Sequence, residues 1–229
     1  MTTKVFNALA AATTLVGIVA TAGAANAASL SFNTSLASQK TDILNAPLSV
    51  QKFNSSLGTL DSVILEFTSN ILGNGSVTNT GSSAANFRLS LNSDISLKDA
   101  TNNNTLFNLN ASTLSSQFSV GANQTLSTPT LTATETDTQT FTDAGFLQSF
   151  IGTGNRNFLF SAEALSGIVG SGNLNSTVST FADGFLKVTY NYTEKTTSVP
   201  EPSALLGIGV MTGFGVISKK KKWLKMANS

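Results

Sequence analysis

The chain contains no cysteine and no histidine, a single tryptophan, four prolines and charged side chains at only 11% of its 229 positions. Without cysteine no disulfide can staple a small fold, so any folded part must be held by its own core. Without histidine the Ser-His-Asp and Cys-His arrangements of nucleophilic catalysis are excluded, as are the usual Cys/His zinc sites. The chemistry left is that of carboxylate pairs, a Ser-Lys dyad or an oxygen-only cation site. Trp223 stands near the C-terminal end, so aromatic surface elsewhere must come from fifteen phenylalanines and two tyrosines.

Both ends carry long uncharged runs. Lys4 precedes an apolar segment from Ala8 to Ala20, and Ala25-Asn26-Ala27 follows with the small-x-small pattern that signal peptidase accepts. A positive start, a short apolar stretch and such a site define a secretory leader. Residues 1–27 are therefore expected to be a helical signal peptide cut between Ala27 and Ala28. At the other end Val199-Pro200-Glu201-Pro202-Ser203 opens a stretch with no charge between Glu201 and Lys219, and Lys219, Lys220, Lys221 and Lys222 close it. Residues 203–218 as a helix span about 24 Å at ~1.5 Å per residue, somewhat short of the ~30 Å hydrocarbon core. Lysine snorkelling accommodates that difference, and the lysine block sets the cytoplasmic side.

Between the ends, seven cations stand against eleven acids, a net charge of −4. A sparsely charged, mildly acidic domain lacks the basic footprint of a nucleic-acid binder. Its apolar residues recur with period two: Val63, Leu65 and Phe67; Phe87, Leu89 and Leu91; Leu186, Val188, Tyr190 and Tyr192. Such alternation marks half-buried strands. Gly73-Asn74-Gly75, Asn79-Thr80-Gly81, Asn102-Asn103-Asn104, Gly152-Thr153-Gly154 and Gly170-Ser171-Gly172 read as the turns that separate them. Short antiparallel strands predict an all-β, jelly-roll-like β-sandwich over residues 28–192, followed by a polar tether over 193–199. Asp143 to Gln148 is expected to form a single helical turn.

Threonine occupies every even position from Thr128 to Thr142. Side chains two apart share a strand face, so these residues form one hydroxyl-and-methyl row. The intervening residues are apolar at the ends and polar at Glu135 and Asp137, which predicts a bend near 135–138. The row reads as solvent-facing threonine with ordinary β-propensity, or as an array that meets an ordered, repetitive surface.

Three kinds of site were weighed. Asp94 with Asp99, or Glu135 with Asp137, offer the carboxylate pair of a hydrolase; a Ser-Lys dyad is the other hydrolytic option. Asp94, Asp99 and Asn102 to Asn104 offer oxygens to calcium, without an EF-hand spacing. A carbohydrate site would need exposed aromatics, and the register of Tyr190 and Tyr192 turns both towards the core. Ile151-Gly152-Thr153-Gly154 lacks the Gly-Lys-Ser/Thr of a phosphate loop. No catalytic residue, metal ligand or cofactor is assigned from the sequence.

The C-terminal thirty residues resemble the PEP-CTERM sorting signal of bacterial surface proteins: the Val-Pro-Glu-Pro-Ser motif, a Gly-rich apolar helix and a basic cluster in that order within 200–226. The resemblance implies recognition by an exosortase through Pro200, Glu201 and Pro202, with removal of the tail. Lys52 to Val63, Phe150 to Gly154 and Val188 to Tyr190 are similar to the choice-of-anchor class of surface domains, type E in particular. That class implies location rather than chemistry. The expected protein is thus exported, anchored in the membrane as a precursor and displayed at the cell surface or in matrix. Its expected partners are signal peptidase, exosortase and extracellular polysaccharide.

Overall fold

The computed structural model describes residues 27–195 and, for the backbone alone, residues 14–20. Ala25, the sorting motif Pro200 to Pro202, the expected helix 203–218 and Lys219 to Lys222 lie outside the described residues, as does the tether beyond Lys195. Among the described residues, twelve strands and one helical turn follow in order: β1 (Thr14–Ala20), β2 (Ala27–Lys40), β3 (Ile43–Gln51), β4 (Gly58–Asn79), β5 (Ala85–Asp99), β6 (Thr105–Leu114), β7 (Phe118–Val120), β8 (Thr125–Ser127), β9 (Leu131–Phe141), α1 (Ala144–Ser149), β10 (Asn155–Ala164), β11 (Gly167–Gly170) and β12 (Leu174–Glu194).

The strands form two antiparallel sheets. The first runs β1-β2-β12-β4, with β8 and β9 both on the far side of β4. In the second, β3, β10 and β5 are neighbours, β11 also pairs with β5, and β6 and β7 complete the sheet through β5. Period-two patterning produces this arrangement directly. Val63, Leu65, Phe67, Leu89, Leu186, Val188 and Tyr190 are all completely buried between the sheets, while Glu66, Lys187 and their phase-mates face water. Thr14–Ala20, from the segment expected to be the leader, pairs antiparallel with β2 between Thr14↔Asn33 and Ala20↔Ala28.

Two expectations about the strands are corrected. Gly73-Asn74-Gly75 is not a turn: it lies inside β4, which continues to Asn79. A Cβ on Gly73 would come within 2.4 Å of Leu91 Cδ2 on the opposite sheet. The glycine therefore marks close approach of the sheets, the other reading of glycine in a strand. Nor does the chain bend at Glu135 to Thr138. β9 runs unbroken from Leu131 to Phe141, paired residue for residue with β4 from Gly73 back to Val63. Its inward face needs no bend because β9 is an edge strand: Glu135 and Asp137 reach solvent at the rim, and Gln139 Nε2 donates to Leu106 O of β6 at 2.7 Å.

The core has two parts. The larger fills the space between the sheets and includes Phe32, Phe53, Phe67, Phe107, Phe150, Phe158, Phe160 and Tyr190. The smaller gathers Val77 of β4, Ala85 and Phe87 of β5 and Val120 of β7. The other expected turns are real: Asn103 adopts φ 60°, Gly152 φ 134°, Gly154 φ 88° and Gly172 φ 105°. The expected helical turn is α1, capped by Asp143, whose carboxylate accepts from the Phe146 N–H at 3.0 Å.

Phe67 contacts Phe107 and Phe160, with ring centroids at 5.6 and 6.1 Å. Truncation to Phe67→Ala leaves a cavity bordered by both and should cost about 3–5 kcal/mol. Thr136→Ser, on the exposed row, should stay within about 0.5 kcal/mol of the parent. Urea unfolding of the two variants side by side measures this difference.

Candidate functional site

One end of the sandwich is closed by aromatic residues around a buried ion pair. The turn after β3 places Phe53 against the segment after α1: Phe53 N donates to Phe150 O at 2.8 Å and Gly152 N to Phe53 O at 3.0 Å. Tyr190 of β12 reaches under both rings, 5.8 Å from Phe53 and 6.2 Å from Phe150, and its hydroxyl donates to Gln51 O at 2.7 Å. Arg156 enters from β10. One guanidinium nitrogen pairs with the Asp99 carboxylate, another donates to Thr101 Oγ1 at 2.9 Å, and the group lies 5.5 Å from the Phe150 ring centre. Burial pushes the Tyr190 hydroxyl well above the ordinary phenol range, and the nearby Arg156 charge offsets part of that rise.

One residue from each of three segments singled out in the sequence thus meets the others at this place. Phe53, Phe150 and Tyr190 come from Lys52 to Val63, Phe150 to Gly154 and Val188 to Tyr190 respectively. Their shared role here is to close the core.

This geometry separates the residues considered for calcium. Asp94 and Asp99 sit five apart on β5, so they point to opposite faces. Asp94 is exposed, whereas Asp99 is buried, committed to Arg156, and accepts from the Thr101 N–H at 2.8 Å. Asn102 and Asn103 stay in the solvated turn. Among the described residues, no group of three or more acidic side chains is placed to hold a metal ion. Glu135 and Asp137 do share a face, but on the open rim of β9 rather than across a cleft. Ala27 opens β2 in an exposed position and Ala28 is buried beneath it.

The outward face of the second sheet forms an open concavity of about 750 Å³. Asp94 of β5 lies directly across from Glu163 of β10 and from Asn110 of β6, and Ser96 from Ser161 and Asn108. Asp42 joins at the margin, its carboxylate accepting from the Ala164 N–H at 2.9 Å, and Lys98 lies at the far side. Sequence reasoning missed this grouping because the acids are 121 residues apart at the extremes and meet only through strand pairing.

The outward face of the first sheet is different in kind. Phe181 and Phe185 of β12 are 39% and 36% exposed there. The signal was present in the sequence: both are in phase with Lys187, Thr189 and Asn191 rather than with the buried Leu186 and Val188.

No family model matches this chain, and no curated protein does. Among solved structures it is aligned with the infectious bursal disease virus Gx strain at 12% identity and a TM-score of 0.13, over 79% of this chain and 49% of that one. A subviral particle of that virus's VP2 aligns at 14% identity and a TM-score of 0.15, over 83% and 51%. The chain spans about half the length of these proteins, and likenesses at this level carry no functional weight.

Replacing Arg156 by Met should destabilise the domain by about 3–5 kcal/mol, because it strands the Asp99 carboxylate in the interior. Tyr190 supplies a pH test. Its folded pKa is raised, so its contribution is complete below pH ~10, the unfolded value, and is lost as pH climbs beyond it. Tyr190→Phe should cost about 1 kcal/mol at neutral pH through the lost bond to Gln51, and should flatten the decline in stability above pH ~10. Chemical denaturation from pH 7 to 11 reads both effects.

Proposed function

We propose that this chain is an exported bacterial surface or matrix protein whose tail is a PEP-CTERM sorting signal processed by an exosortase. In this reading the domain between leader and tail has a structural or adhesive role with extracellular polysaccharide. The observation that carries it is the order of parts at the C-terminal end: Pro200-Glu201-Pro202, the uncharged run to Ile217, then Lys219 to Lys222. We further read the domain as a jelly roll. Counting only the eight principal strands, the first sheet takes the first, eighth, third and sixth, and the second takes the second, seventh, fourth and fifth. That is the winding of two interlocked Greek keys.

A non-enzymatic role is supported by where the acids lie. Asp94 and Glu163 are adjacent across strands on an open face, rather than on opposing walls around a bond to be cut. Leader removal also has a structural consequence. A cut after Ala27 takes β1 away and makes β2 the edge of the first sheet. Eleven of its pairs with β12, from Lys40 to Ala28, still hold β2 from its other side.

Glu201→Ala should leave export intact and block removal of the tail, so the variant accumulates in the membrane fraction with Trp223 still attached. Fractionation followed by peptide mass spectrometry distinguishes the outcomes. Normal tail removal in the variant would refute a role for the triplet.

A further inference from the structure

The threonine row acquires a setting in the folded protein. The first sheet places each threonine of β9 beside a side chain of β4 and then one of β12. The successive rows are Thr132–Leu72–Phe181, Thr134–Asn70–Asp183, Thr136–Thr68–Phe185, Thr138–Glu66–Lys187 and Thr140–Ile64–Thr189. At ~6.8 Å between rows and ~4.8 Å between strands, the five rows cover about 27 Å by 10 Å between outermost Cα positions. This is an open sheet face without groove walls.

Its polar groups are fixed by one another. Thr68 and Thr136 share a hydroxyl hydrogen bond at 2.8 Å, Thr134 donates to Asn70 Oδ1 at 2.5 Å, and Asn70 Nδ2 donates to Asp183 Oδ1 at 2.8 Å. Lys187 pairs with Glu66 at 3.3 Å, and Lys40 lies in register beside Phe181. Two cations and two acids therefore balance. β-Branched side chains that are already hydrogen-bonded have little rotamer freedom to lose on docking. Phe181 and Phe185, two rows apart on a strand paired on both sides, present their rings to solvent at the same level.

We propose that this face is a docking surface for an ordered, uncharged polysaccharide. A sugar ring has an apolar C–H face, which the phenylalanines match, and a hydroxyl rim, which threonine and asparagine match. The balanced charge favours a neutral polymer over an anionic one. An open face touches a single soluble oligosaccharide at few points, whereas aligned chains in a fibre engage several rows together and gain by multivalency. This deepens the reading above by naming the surface and the polymer class, and it depends on that reading only for where the protein works.

The test uses the full chain purified in mild detergent, co-sedimented with microcrystalline cellulose and with α-chitin as neutral fibrous probes. Binding to at least one fibre, little changed between low and high salt, is the expected result. Phe181→Ala/Phe185→Ala should weaken it about tenfold or more, the usual consequence of losing aromatic anchors. Thr136→Lys should do the same by placing an unbalanced charge mid-face, and Asp94→Asn on the other sheet should have no effect. Thermal unfolding of each variant verifies that the fold is kept. Absence of binding to both fibres would overturn the proposal. So would binding that survives both Phe181→Ala/Phe185→Ala and Thr136→Lys, or salt-sensitive binding to alginate, sedimented alongside as an anionic probe, with none to the two neutral fibres. Because the purified chain is assayed directly, failure of tail processing in cells leaves this result unaffected, and failure here leaves the sorting test unaffected.

Discussion

The pairing of β4 with β12 is the constraint on which the rest of the molecule depends. Twenty-one residues of β12, Leu174 to Glu194, pair with β4 from Asn79 back to Gly58, with one register shift near Asn191. The two strands are separated by about a hundred residues of chain, so the contact closes a long loop and costs chain entropy before it contributes. Once formed it fixes everything else in the first sheet: β2 on one side, β8 and β9 on the other. It also fixes the core, because Val63, Leu65 and Phe67 are brought beside Tyr190, Val188 and Leu186 on one buried face.

The same pairing explains why the two faces of the sheet differ so sharply. A slip of β4 by one residue would turn its faces over, exposing Phe67 and burying Glu66 away from Lys187. The buried face cannot tolerate that exchange, so the opposite face is held in register as a by-product. Threonine, asparagine and the outward phenylalanines are thereby positioned without needing to stabilise the fold themselves. The ends of the sandwich show a different solution. There Phe53, Phe150 and Tyr190 close the core around Arg156 and Asp99, a buried pair whose value lies in mutual satisfaction rather than in net stabilisation.

Much of this was legible from period-two patterning. The buried sets, the threonine exposure, α1 and the Asn102 to Asn104 turn were all readable, because each depends on local spacing. Thr128 is the exception in its row: it is buried, with its hydroxyl accepting from the Gly75 N–H at 2.8 Å. Strand length was not legible. Gly73-Asn74-Gly75 has turn composition, yet the partner β12 carries the chain straight through it, and the missing side chain makes room for Leu91. The β9 bend failed for a related reason. Two acids on an inward face suggest a break only if that face is enclosed, and at the rim it is not. The concavity with Asp42, Asp94 and Glu163 depends wholly on which strands become neighbours, which no local pattern encodes.

Native-state hydrogen exchange measures the central constraint most directly. If β4 and β12 form one cooperative spine, the paired amides from Val63 to Val77 and from Val178 to Tyr190 should exchange only through global unfolding, with one common free energy. The Gly73 to Val77 stretch should be as protected as Val63 to Phe67. Rapid exchange confined to Gly73 to Val77 and to its partners Ser176 to Thr180 would contradict this. It would mean that the Gly-Asn-Gly segment divides β4 in two, and that the distal core around Phe87 is a separate, weaker unit.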